Sequence, residues 1–264
     1  MERRQDALLT FTCEADRPGS AERLEAAACR LDALFASDRV HVAIPAREDA
    51  AELPVADRPA WFAERMANRR RWFAIRGDRT YPLVEGSTHG ADHRFLVFGG
   101  SLVAGSPACL DVSVAFVPGS GAQIERVLCE VGDALEACSA RWTPMPLDAW
   151  QRVLQHGARD VQALAARTPE DVRLPRLQLL AARQPVQPQA GGWWNYWSAR
   201  TADFLGLQDL TTDAEFRQLA RKTEAGAWLV KLGADAFEPV APPAMQRLAW
   251  LHERLPLLGL REKA

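Results

Sequence analysis

The stretch Gly191-Gly192-Trp193-Trp194-Asn195-Tyr196-Trp197-Ser198 constrains the fold of this chain more than any other. Four large aromatic side chains occupy five consecutive positions, and each can bury on the order of 200 Å². Read as a strand, the segment puts Trp193, Asn195 and Trp197 on one face and Trp194 and Tyr196 on the other. Both faces are then apolar, as in a strand covered on both sides. The competing reading is a stacking platform for bases or sugars, or a cage for a cation. Such platforms mix aromatics with several basic residues, whereas Arg200 is the only one nearby. Trp193, Trp194, Tyr196 and Trp197 are therefore read as a structural cluster that joins a larger domain to a small carboxy-terminal unit.

The elements around it predict an α+β fold. Residues 7–13 have strand composition, and Leu24, Ala27, Ala28, Leu31, Leu34 and Phe35 recur at helical spacing after a start near Ser20. A short strand over 40–44 leads to a helix that begins near Asp57 and Pro59 and carries Trp61, Phe62 and Met66. Strand-like segments follow at 72–75, 94–98 and 109–117, then a helix with Ile124, Val127, Leu128, Val131, Leu135 and Cys138 on one face. Ser120-x-x-Gln123 reads as its capping box. This order predicts a mainly antiparallel sheet with helices packed on it.

Residues 147–167 read as helical, and the Pro- and Gln-rich stretch over 171–190 reads as a linker. The expected organisation is an amino-terminal α+β domain over 1–170 and a carboxy-terminal α+β unit over 191–264. In the latter, a helix from Ser198 stops at Gly206, Thr212-x-x-Glu215 caps a second, 227–232 is a strand, and Pro242-Pro243 opens a last helix. At about 75 residues this unit is small for a core of its own, so it is expected to dock on the first domain.

With 32 basic and 34 acidic residues, the formal charge of −2 gives no global pull toward nucleic acid or anionic membrane. No apolar run approaches the ~20 residues of a membrane span, and the apolar stretch Ala7-Leu8-Leu9 is too short for a signal peptide. A cytoplasmic protein is expected. The five cysteines, Cys13, Cys29, Cys109, Cys129 and Cys138, are odd in number and contain no Cys-x-x-Cys pair. Cys29, Cys129 and Cys138 fall on or beside apolar helix faces, where a thiol acts as a small hydrophobe.

The search for chemistry yields little. His89 and His93 have metal-like spacing but no helical context. Gly99-Gly100-Ser101 lacks the later glycine of a nucleophile elbow, with Val103 in its place. Gly119-Ser120-Gly121 lacks the rest of a phosphate loop, and Ser120 is better explained as an N-cap. No catalytic, cofactor or metal set emerges, and a non-enzymatic protein is expected. Charge is segregated, however. Glu48, Asp49, Glu52 and Asp57 lead an acidic stretch suited to a basic protein partner. The run Arg65, Arg69, Arg70, Arg71, Arg76 and Arg79, with Trp72 and Phe73, has the make-up of a nucleic-acid contact. A solvated helix end with its charges paired, favoured also by the helix dipole, is the more usual explanation.

The string Gly192-Trp193-Trp194-Asn195-Tyr196-Trp197-Ser198 also resembles the hallmark of bacterial proteins related to the immunity protein 52 family. The segments Asp213-Ala214-Glu215-Phe216, 221–232 and Ala249-Trp250-Leu251-His252-Glu253-Arg254-Leu255-Pro256 extend the likeness over 191–258. It continues in order over 59–145 through Trp61 and Trp142-Thr143-Pro144. The resemblance implies a protein that binds and neutralises a cognate antibacterial toxin, often a type VI secretion effector with a restriction-endonuclease-like nuclease domain. It implies no catalytic residue, cofactor, membrane or direct nucleic-acid contact. The alternatives are an enzyme that reverses toxin damage and a nucleic-acid binder using Arg65–Arg79.

Overall fold

The structure, a computed structural model, describes residues 7–15, 17–35, 40–43, 51–67, 73–77, 96–103, 106–116, 120–144, 151, 174–177, 184–233 and 242–261. Its strands are β1 (Ala7–Glu14), β2 (Val40–Ala43), β3 (Ala51–Leu53), β4 (Phe73–Gly77), β5 (Leu96–Val103), β6 (Ser106–Phe116), β7 (Ser139–Trp142), β8 (Trp194–Trp197), β9 (Ala220–Lys222) and β10 (Trp228–Lys231). They form one ten-stranded sheet in the order β3-β2-β4-β5-β6-β1-β7-β8-β10-β9. Every pairing in it is antiparallel. The predicted α+β class is the observed one.

One face of the sheet has two continuous apolar rows. Val112, Phe11, Ala140, Tyr196 and Leu229 lie opposite one another from strand to strand, as do Val114, Leu9, Trp142 and Trp194. All nine are buried. The helices α1 (Ser20–Phe35) and α2 (Arg58–Ala67) pack together beside this core, with Leu24, Ala27, Ala28, Leu31, Phe35 and Phe62 buried. Leu34, expected on the same stripe, is half-buried. The third helix runs from α3 (Gly121–Arg126) through a π-helical turn (Val127–Val131) into α4 (Gly132–Ala134). Ser120 caps it by accepting from the Gln123 amide at 3.3 Å. The π turn keeps Ile124, Val127, Leu128 and Val131 all fully buried.

The stretch expected as a linker does not interrupt the sheet. β8 pairs with β7 from Trp142↔Trp194 to Ser139↔Trp197, so 194–197 extend the same ladder as 7–142. The carboxy-terminal unit thus joins the first domain by main-chain pairing as well as by docked side chains. The Trp142 and Trp194 rings meet edge to face, 4.9 Å apart. Gly192 passes so close to β7 that a Cβ there would lie 2.8 Å from Arg141 Cβ and 2.9 Å from the Trp142 carbonyl. Asn195, fully buried, reciprocates with Gly192: it accepts from the Gly192 amide at 2.7 Å and donates to the Gly192 carbonyl at 2.9 Å. The Gly-x-x-Asn spacing is therefore a backbone clamp that holds the tryptophans in register.

Past the clamp, α5 (Ala199–Leu205) starts at the Ser198 cap and ends at Gly206, whose φ of 71° is left-handed. The short α6 (Leu207–Leu210) follows, then α7 (Ala214–Leu219) and finally α8 (Pro242–Arg254). The cap of α7 is Asp213, which accepts from the Glu215 and Phe216 amides, and not the expected Thr212. A carboxylate one residue nearer the helix reaches the free amides directly. Strands β3 and β9 had no counterpart in the sequence reading; at three residues each they are too short to show alternation. The helix expected over 147–167 lies outside the described residues apart from Gln151, whose Nε2 donates to the Gly191 carbonyl at 2.6 Å.

Arg58 shows how α2 is fixed. Its side chain is 1% exposed and pairs with two carboxylates on α1. Nε and Nη2 grip Glu25 at 2.8 and 2.7 Å, and Nη1 reaches Asp32 at 2.5 Å. Cys29, expected as a small hydrophobe, lies instead on this polar side of α1, exposed, with its Sγ 3.2 Å from both Arg58 and Glu25. Its position one turn after Glu25 places it there.

Two substitutions test these assignments by chemical denaturation. Trp197→Ala, at 1% exposure, should cost about 3–5 kcal/mol through the cavity it leaves. Arg58→Ala should cost about 3 kcal/mol, the low end for breaking a buried pair, because Glu25 and Asp32 keep some contact with water.

Candidate functional site

Beside the tryptophan strand the sheet has a step. Val230 is the last residue of β10 to pair with β9, opposite Ala220, whereas Lys231 pairs only with Trp194 of β8. Where β10 outruns its neighbour a cleft of about 520 Å³ opens, within the range of small-ligand sites. Trp193, Leu219, Leu229 and Leu232 supply its apolar wall, and Gln218, Arg221, Lys231 and Arg247 its polar rim. Arg221 and Lys231 share a face because Arg221 stands opposite Leu229, two residues from Lys231.

The electrostatics of the rim centre on Glu125 of α3. Its carboxylate receives Lys231 Nζ at 2.9 Å on one oxygen and Arg221 on the other. Burial works to raise its pKa, but the hydrogen bonds from Lys231 and Arg221 outweigh that and hold it below the usual value of 4.5. The same ammonium sits 3.9 Å over the Trp194 ring, a cation–π contact. On the far wall, Arg247 of α8 donates to the Leu232 carbonyl at 3.1 Å. The Trp193 indole N–H, in a side chain 5% exposed, meets no acceptor among the described residues.

The acidic residues singled out by sequence lie at the opposite end of the sheet. Glu52 is on the edge strand β3, across from His41. Asp57 ends the 3-10 turn Val55–Asp57 and is exposed, with Val55 exposed beside it. The structure thus brings Glu52 and Asp57 to one sheet edge; Glu48 and Asp49 lie outside the described residues. Of the basic run, Arg65 stacks 5.0 Å over Trp61, and Arg76 belongs to the interior strand β4. Arg69, Arg70, Arg71 and Arg79 lie outside the described residues, as do His89 and His93. Gly99-Gly100-Ser101 is plain strand, with Gly99 and Gly100 paired to both β4 and β6 and Ser101 to β6, so it forms no nucleophile elbow. Among the described residues no group of three or more His, Cys, Asp or Glu side chains is placed to hold a metal. No helix there is long and apolar enough to cross a membrane.

Sequence reasoning missed the cleft because its parts come from α7, β9, β10 and α8, and no linear spacing links them. Trp193 was the one visible signal. The role of Glu125 predicts a pH signature. A carboxylate whose folded pKa is depressed stabilises above its unfolded pKa, and that contribution is lost as pH falls through the folded value. Glu125→Gln should therefore be less stable than the wild type at neutral pH. The difference should shrink progressively below pH 4.5, as followed by urea unfolding of both proteins at matched pH.

No curated protein matches this chain. Among solved structures, the Pseudomonas aeruginosa T6SS protein PA0821 has a similar fold, with a TM-score of 0.55 at 12% identity. That likeness covers 98% of this chain and 76% of the other. A family model described as a domain of unknown function, DUF5953, matches residues 21–263. The match spans both the helices that cover the sheet and the tryptophan strand, and the chain belongs to the DUF5953 family.

Proposed function

We propose that this protein is an immunity-type binding protein that occupies and neutralises a secreted antibacterial toxin inside the cell that makes it. The observation that carries the reading is the fold likeness to a T6SS protein over nearly the full chain. The resemblance of residues 191–258 to relatives of the immunity protein 52 family agrees with it and points to a nuclease as the toxin. The protein acts by stoichiometric binding and not by catalysis.

The acidic sheet edge is the proposed contact. Glu52 lies on the edge strand β3, and Asp57 is exposed in the turn that also holds the exposed Val55; in sequence, Glu48 and Asp49 belong to the same acidic stretch. An enzyme that acts on nucleic acid carries a basic surface, and complementary charge speeds the encounter of such a pair. With a net charge of only −2, broad imitation of a nucleic acid is a poor fit, and local occlusion is the better one.

Co-expression with the toxin encoded beside it should rescue growth and yield a complex that co-purifies. Protection should titrate at one immunity protein per toxin. Replacing Glu52 and Asp57 together by lysine should slow association by about tenfold at low salt and leave the unfolding midpoint unchanged. Killing that proceeds equally with and without this chain would sink the reading. Protection at far below equal molar amounts would replace binding by an enzymatic repair activity.

A further inference from the structure

The basic cleft at the β9–β10 step lies at the far end of the sheet from the acidic edge, and its chemistry asks for a different ligand. Three cationic side chains, Arg221, Lys231 and Arg247, line it among the described residues. Among the described residues, the carboxylate that reaches this group is Glu125, which already accepts from both Arg221 and Lys231. Arg221 and Arg247 are both exposed, so their remaining donors face solvent. Trp193, only 5% exposed, adds its indole to the lining.

Among the described residues, the groups of the cleft left to meet a ligand are thus the exposed guanidiniums of Arg221 and Arg247, set against an apolar wall of Trp193, Leu219, Leu229 and Leu232. A phosphate-rich polyanion fits poorly there, since it would crowd Glu125 and leave the apolar wall uncovered. A carboxylate on an apolar body fits both halves. In a protein, one residue presents these two groups from the same Cα: an apolar residue at the carboxy-terminus. The adjoining edge strand β9, hydrogen-bonded only to β10 within the sheet, offers main chain along which such a terminus can lie extended. We propose that the cleft captures the free carboxy-terminus of a partner polypeptide ending in an apolar residue. Its carboxylate would lie between Arg221 and Arg247, and its last side chain would rest against Trp193. This site is independent of the toxin-binding surface proposed above.

The test uses the full chain and three Trp-free, N-acetylated peptides. The first ends in Leu-Val with a free carboxylate, and the second is its carboxy-terminal amide. The third has an amidated end and an internal Glu. Binding is read from tryptophan fluorescence and from the indole N–H resonance of Trp193. The free-acid peptide should bind saturably and shift that resonance, and the amide should bind at least about tenfold more weakly. Arg221→Gln and Arg247→Gln should each weaken the free-acid peptide by about tenfold and leave the far-ultraviolet dichroism unaltered. Having two variants guards against one of them perturbing the fold. Equal binding of acid and amide overturns the proposal, as does equal binding of the internal-Glu peptide. Absence of saturable binding into the millimolar range overturns it too. None of these outcomes bears on toxin neutralisation, which is read from growth.

Discussion

The main-chain ladder between β7 and β8 is the interaction on which the rest of the structure depends. Four residue pairs, from Trp142↔Trp194 to Ser139↔Trp197, turn two stretches of chain 52 positions apart into neighbours in one sheet. Such a long closure is entropically costly, and the pair makes it worthwhile by burying two indoles edge to face at the seam. Tyr196 secures the same strand from the helix side: its hydroxyl donates to Asp133 at 2.7 Å, and its ring fills the space that a side chain at Gly132 would need. Burial and the hydrogen bond to Asp133 raise its pKa, so the phenol stays a donor. With β8 in place, β10 and β9 can add to its other side, and the step that forms the cleft follows from their unequal lengths.

At the other end of the sheet the same task of fixing one element on another is done by charge. Arg58 spends its guanidinium on Glu25 and Asp32, and a fork that meets one carboxylate at two points holds direction as well as distance. The consequence for function is positional. Asp57 is the residue before Arg58, so the lock that seats α2 also sets where the acidic edge faces. The two candidate surfaces, acidic at β3 and basic at β9, are therefore anchored by opposite means: buried ions at one end and buried tryptophans at the other.

Much of this was legible in sequence wherever one element carried its own signal. The stripe Leu24, Ala27, Ala28, Leu31 and Phe35 specified α1, the alternation across 193–197 specified a strand covered on both faces, and Gly206 marked the end of α5. What stayed hidden has a common cause. Asn195 reads as a polar residue among aromatics until the Gly192 main chain is seen against it. Arg58 reads as one cation in an acidic stretch until α1 supplies Glu25 and Asp32. Glu125, Arg221 and Lys231 are separated by up to 106 positions and carry no motif.

The sequence by itself determined the α+β class, the identity of the main elements and the burial of the aromatic strand, because helix and strand periods are local properties of the chain. Only the tertiary structure decided that the carboxy-terminal unit continues the sheet of the first domain. It also decided that Arg58 is a lock and that three cations and the Trp193 indole line one cleft. These depend on which strand edges find each other and in what register. That outcome is settled by pairing free energy summed over distant residues, and no local pattern encodes it.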